Sequence, residues 1–155
     1  MTSKLTAELV GDTQLRVTRR FAAPPDRVFR AHFEPELVKQ WMLGPPGWTM
    51  PVCEIAPVVG AQLHFRWDKS PSEGFSMRGT ILELDPPHRS LHSEFFEVPG
   101  ATESIVETSF IAEGTGTRLE LVVTYASKEA RDAAMSTGMT DGMESSYARI
   151  DDLFV

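Results

Sequence analysis

The feature that most restricts the fold of this chain is the spacing of turn residues between positions 50 and 125. Breakers fall at residues 57–60 (PVVG), 70–74 (SPSEG), 85–87 (DPP), 99–100 (PG) and 114–116 (GTG). Clusters of Pro, Gly, Asp and Ser of this kind end strands and form the turns between them. Six strands are predicted over residues 50–55, 62–67, 75–84, 89–97, 103–112 and 117–125. The connections are too short for the crossover of a dozen or more residues that a parallel pairing needs, so the strands form an antiparallel meander.

A further strand precedes the meander and is expected at its edge. In Gln14–Phe21, Leu15, Val17 and Phe21 alternate with Gln14, Arg16, Thr18 and Arg20, as in a half-buried strand. Arg19 breaks the alternation, and a charge on the apolar face requires a partner or a wet cavity. Next, Ala23-Pro24-Pro25-Asp26 starts a helix, since proline is tolerated in a first turn and an acidic residue suits the N-terminal dipole. Val28, Phe29 and Phe33, then Leu37, Val38 and Trp41, supply the apolar sides of two short helices separated at Pro35.

After Ser127, a predicted N-cap, the period becomes helical. Met135, Met139, Met143, Tyr147, Ile150 and Phe154 recur at spacings of three and four and form one stripe, with Asp132, Glu144, Arg149 and Asp151 elsewhere on the helix. Gly138 and Gly142 weaken its first half, so a kink or break is expected near Thr137-Gly138. The reading is one α+β domain over residues 1–155, with 1–8 as a flexible tail and a curved antiparallel sheet of about seven strands wrapped on a long C-terminal helix.

Composition excludes several function classes. The net charge is −7 among 155 residues, with Arg19-Arg20 the sole adjacent basic pair, which argues against a nucleic-acid or anionic-membrane partner. Neither a membrane-spanning apolar run nor a secretory signal pattern is present, so a cytoplasmic location is expected. Homodimerisation is left open. A single cysteine, Cys53, rules out an internal disulfide and reads as a small apolar residue. His32, His64, His88 and His92 lack metal-ligand spacing. No nucleophile elbow, Walker loop or dinucleotide fingerprint occurs, and no cofactor or metal is expected.

Several words of the sequence are specific: Ala23-Pro24 followed by Val28, Trp41 before Gly44-Pro45, Asp85-Pro86-Pro87, Gly116-Thr117, and Gly138-Met139 with Gly142-Met143 before Tyr147. In these, and along nearly its whole length, the chain resembles the START-like (SRPBCC) superfamily. Within it, the chain is most similar to the bacterial homologues of the C-terminal domain of the Hsp-ninety ATPase activator. The resemblance implies a helix-grip fold with an internal cavity and ligand binding as the common theme. Relatives in the superfamily include polyketide cyclases, lipid carriers, a self-sacrificing antibiotic resistance protein and the eukaryotic co-chaperone domain, and the fold does not choose among them.

Arg19 and Glu94 are the charges expected at the cavity, as a pair or separately; a structural ion pair is the plainer alternative. His92 and Glu94 lie two apart on one strand and therefore on one face, which makes them weak candidates for acid–base work. For His92 the plainer reading is an exposed polar face. Apolar ligand contacts are expected from Trp41, Trp67, Phe75, Met77, Phe96, Phe110, Met139, Met143 and Tyr147, with Trp48 closing one end and the methionines doubling as core. The function expected is binding of a small hydrophobic or aromatic molecule without a cofactor, rather than catalysis. A cyclase- or dehydratase-like enzyme using the same cavity is the alternative, and chaperone-ATPase activation the third.

Overall fold

A computed structural model describes residues 4–154. They form eight strands and four helices. These are β1 (Thr6–Val10), β2 (Gln14–Phe21), α1 (Pro25–Phe33), α2 (Pro35–Trp41), β3 (Thr49–Glu54), β4 (Gln62–Ser70), β5 (Glu73–Asp85), β6 (Arg89–Phe96), β7 (Ser104–Glu113), β8 (Gly116–Thr124), α3 (Lys128–Met135) and α4 (Met139–Leu153). The sheet order is β1-β2-β8-β7-β6-β5-β4-β3, antiparallel throughout. The meander of β3 to β8 is as the turn spacing predicts, with β2 beside β8.

The N-terminal segment departs from expectation. Thr6–Val10 pairs with β2 and takes the sheet edge, so part of the anticipated tail is a strand and the strand count is eight. Its residues are mostly exposed. Backbone pairing with β2 orders them, which hydrophobic periodicity cannot register. Residues 1–3 of that tail lie outside the described residues.

The local chemistry explains the helix ends. Pro25 and Pro35 occupy first helical turns, and Glu34 ends α1 and begins α2. Ser127 Oγ accepts from the Ala130 amide at 3.0 Å, capping α3. Gly138 adopts φ +78°, a left-handed conformation costly for a residue with a Cβ, and there the C-terminal helix breaks into α3 and α4.

One face of the curved sheet packs on the helices. The core joins Leu15, Val17, Phe21, Val28, Phe29, Phe33, Trp41, Ile81, Val106, Phe110, Leu119 and Val123 to Tyr147 and Ile150 of α4, with Met139 and Met143 partly buried against it. No helix of the described residues is long and apolar enough to cross a membrane.

Candidate functional site

Strand register identifies the residues on the concave face. Directly opposed residues share a face in an antiparallel sheet. One row crosses the sheet as Ile81, His92, Val106, Val123 and Leu15. The four hydrophobic members are at most 5% exposed, so the fifth, His92, also points inward. The exposed polar face expected for His92 is therefore corrected. Along β6 it is Leu91, paired with Glu107, that takes the opposite face. The polar and apolar residues of this strand are inverted relative to the alternation rule.

Glu94 lies two residues on, on the same face, and His92 Nε2 to Glu94 Oε2 is 2.8 Å. The two side chains are 16% and 21% exposed. Phe96 follows, in a row with Phe65 and Met77, and next to it stands the Trp67–Phe75 pair. The rings form one cluster: Trp67 to Phe75 5.2 Å, Phe75 to Phe96 6.0 Å, Trp67 to Phe96 6.4 Å and Trp48 to Phe75 5.6 Å between centroids. Trp67 Nε1 donates to the Met42 carbonyl at 2.8 Å, which fixes its ring. Phe96 is 37% exposed, so this part of the concave face is open.

The opposite part is closed. Trp41 stacks on Tyr147 at 5.8 Å and donates to the Ala31 carbonyl at 2.8 Å, and Phe110 packs on Phe29 and His32. Trp41, Phe110 and Tyr147 are at most 4% exposed, and so is Met77 beneath the aromatic cluster in the row with Phe65 and Phe96. These four anticipated contacts are core side chains. Trp67, Phe75, Phe96, Met139 and Met143 retain accessible surface, and Trp48 stands at the end of the cluster.

Arg19 is also on the concave face, in the row with Leu119 and Phe110, and of the two arrangements left open for Arg19 and Glu94 it does not take the pairing. It is 1% exposed, and its guanidinium binds Glu144 and Asp151 of α4, each at 3.0 Å, and the Arg20 carbonyl at 2.8 Å. The His92 row meets β2 at Leu15, four residues or about 13 Å from Arg19, and Glu94 lies beyond that row. Arg19 thus ties β2 to α4, and the helix face carrying Glu144 and Asp151 supplies partners that the methionine stripe did not reveal.

Two further residues, Tyr125 and His32, belong to this interior with Tyr147. Tyr125 donates to Met139 Sδ at 3.4 Å, and burial, with the nearby Glu94 charge, pushes its hydroxyl up to about 12. Tyr147 is raised as well, by burial and then by Glu94. His32 Nδ1 donates to the Val28 carbonyl at 2.8 Å, whereas its Nε2 is buried with no partner. Burial lowers the imidazole to about 4, against the Val28 bond, with His92 adding to the lowering. Nothing in sequence singled out His32, because a part-exposed position on a short helix resembles any surface histidine. Cys53 is half-buried, its thiol pushed up by burial to about 11, as suits a non-nucleophile.

Among the described residues no group of three or more His, Cys, Asp or Glu side chains could hold a metal. Two open surface hollows have volumes of about 300 Å³ each. Arg27, Leu37, Leu153 and Phe154 are among the residues lining one, and Thr49, Asp68 and Pro71 among those lining the other.

Comparison with known proteins agrees with the architecture. The family described as Activator of Hsp90 ATPase homolog 1-like protein matches residues 22–155. A crystal structure from Rhodobacter sphaeroides is similar at 30% identity and TM-score 0.92, with 98% of each chain covered. A crystal structure from Mycobacterium smegmatis is similar at 26% identity and TM-score 0.84, with 96% of each chain covered. One from Nitrosomonas europaea, at 20% identity, TM-score 0.81 and 94% and 96% coverage, shares the fold. No curated protein matches the sequence. Register, helix-grip architecture and the match over residues 22–155 place the chain in the Activator of Hsp90 ATPase homolog 1-like family of the START-like superfamily.

Proposed function

We propose that this protein binds a small apolar or aromatic molecule on the concave face between β4–β6 and the start of α4. The observation that carries the reading is the succession Phe96, Glu94, His92 along one face of β6. An exposed aromatic ring continues there into a half-buried carboxylate and imidazole. Binding sites combine mostly apolar walls with a few placed polar groups of this kind. The aromatic cluster of Trp48, Trp67, Phe75 and Phe96 would receive the flat part of the ligand, Met139 and Met143 would adapt to its shape, and Glu94 would orient its polar end. Titration with N-phenylnaphthylamine, read by dye fluorescence, tests this. Saturable binding weakened by Phe96→Ala supports it, and absence of saturation contradicts it.

The His92–Glu94 hydrogen bond favours a second reading, proton transfer on a polyketide-like substrate. A carboxylate that orients an imidazole is a recognised acid–base arrangement. Recovery of candidate ligands unchanged from wild-type and Glu94→Gln protein alike would favour binding. The family's description brings a third reading, chaperone-ATPase activation. Saturable stimulation of the host chaperone's ATP turnover by the purified protein would support it.

A further inference from the structure

We infer that the ligand of the concave site carries a protonated amine, a choice that rests on the ligand-binding reading above and specifies its chemistry. The charge pattern of the interior gives the reason. Glu94 has His92 as its one ion-pair partner among the described residues. The cations of the neighbouring strands and of α4 are engaged elsewhere, Arg66 and Arg78 on the other face of the sheet. Arg19 holds Glu144 and Asp151, Arg66 holds Asp68, Arg78 holds Glu97, and Arg149 donates to the Trp41 carbonyl. A partly desolvated carboxylate therefore has an imidazole as its ion-pair partner, with the Tyr125 and Tyr147 hydroxyls near it and no Lys or Arg paired to it.

Hydrogen-bond capacity has the same bias. With His92 Nε2 donating to one oxygen of Glu94, the second carboxylate oxygen remains an acceptor. An unmatched acceptor in such surroundings is costly. An ammonium brings three donors and no acceptor.

The aromatic cluster fits the same ligand. Ring faces carry negative potential and attract cations, most strongly at tryptophan. Trp67 and Phe96 are near-parallel, with an interplanar angle of 22°, and Phe75 and Trp48 continue the aromatic surface. A carboxylate ligand would meet Glu94 with neither Lys nor Arg to receive it, and like charges in a partly desolvated site repel.

The test compares three probes of one shape at neutral pH, phenethylamine, phenethyl alcohol and phenylacetate, titrated calorimetrically into the full chain. The amine is expected to bind about tenfold or more tighter than the alcohol, the margin of a charge-assisted hydrogen bond, and phenylacetate more weakly than the alcohol. Glu94→Gln should remove the preference for the amine over the alcohol, and circular dichroism of the variant reports that it is folded. The wild-type comparison stands without any variant. Alcohol or acid binding as tight as the amine overturns amine recognition and leaves apolar binding standing. No binding of any of the three overturns both.

Discussion

Glu144, on α4, holds the guanidinium of Arg19, on β2, at 3.0 Å, and accepts the Leu5 amide just before β1 at 2.6 Å. One carboxylate thus joins the edge of the sheet to the helix it grips. Arg19→Ala removes the buried cation and leaves Glu144 and Asp151 facing each other unpaired. Breaking such a pair costs about 3–5 kcal/mol, measurable by urea denaturation. Replacing all three with neutral residues, Arg19→Met with Glu144→Gln and Asp151→Asn, should recover most of the loss.

The legible part of this fold was whatever repeated locally. Breaker spacing located the meander, proline and serine located the helix starts, and Gly138 marked the break between α3 and α4. The Arg19 anomaly signalled a buried charge, but not its partners, because Glu144 and Asp151 are more than a hundred residues away and lie off the apolar stripe. β1 was hidden because its residues are exposed and held by backbone pairing. At the site, spacing put His92 and Glu94 on one face, whereas the choice of the concave face depended on a register that only the paired strands define.

His32 should make stability depend on pH. Its imidazole titrates near 6.5 when unfolded and at about 4 when folded. As pH falls below 6.5 the unfolded chain takes up a proton that the folded one refuses, so stability declines between 6.5 and about 4 and is unaffected above. The full loss is on the order of 3 kcal/mol. His32→Gln should flatten this part of a plot of denaturation midpoint against pH.

Gly79 determines how closely β5 approaches β6 beside Glu94. A Cβ there would stand 1.9 Å from the Ser93 carbonyl oxygen, an overlap only strand displacement can relieve. Gly79→Ala should cost about 1–3 kcal/mol or more and weaken apolar ligand binding, because the backbone next to Glu94 must move. Calorimetric melting and dye titration of the same variant check both effects.

The methionines of α4 should behave as site wall rather than deep core. Met139 and Met143 are partly buried, unlike Ile150 at 0% exposure. Met139→Ala and Met143→Ala should each cost less than the roughly 2–5 kcal/mol of a tightly packed side chain and alter dye affinity. Met143→Asp, which places an unpaired charge against apolar groups, should unfold or aggregate the protein. Full core penalties at both positions with dye binding unchanged would assign the stripe to packing alone.

In the proposed binding the aromatic end of the concave face takes up ligand while the Trp41 end remains closed. Indole N–H resonances of Trp41, Trp48 and Trp67, followed by NMR as N-phenylnaphthylamine is added, test it most directly. Saturable shifts are expected at Trp48 and Trp67, with Trp41 unmoved on the Ala31 carbonyl and binding weaker in Phe96→Ala. Saturable binding that leaves Trp48 and Trp67 unmoved, and shifts the backbone around Arg27, Leu153 and Phe154 instead, would contradict it.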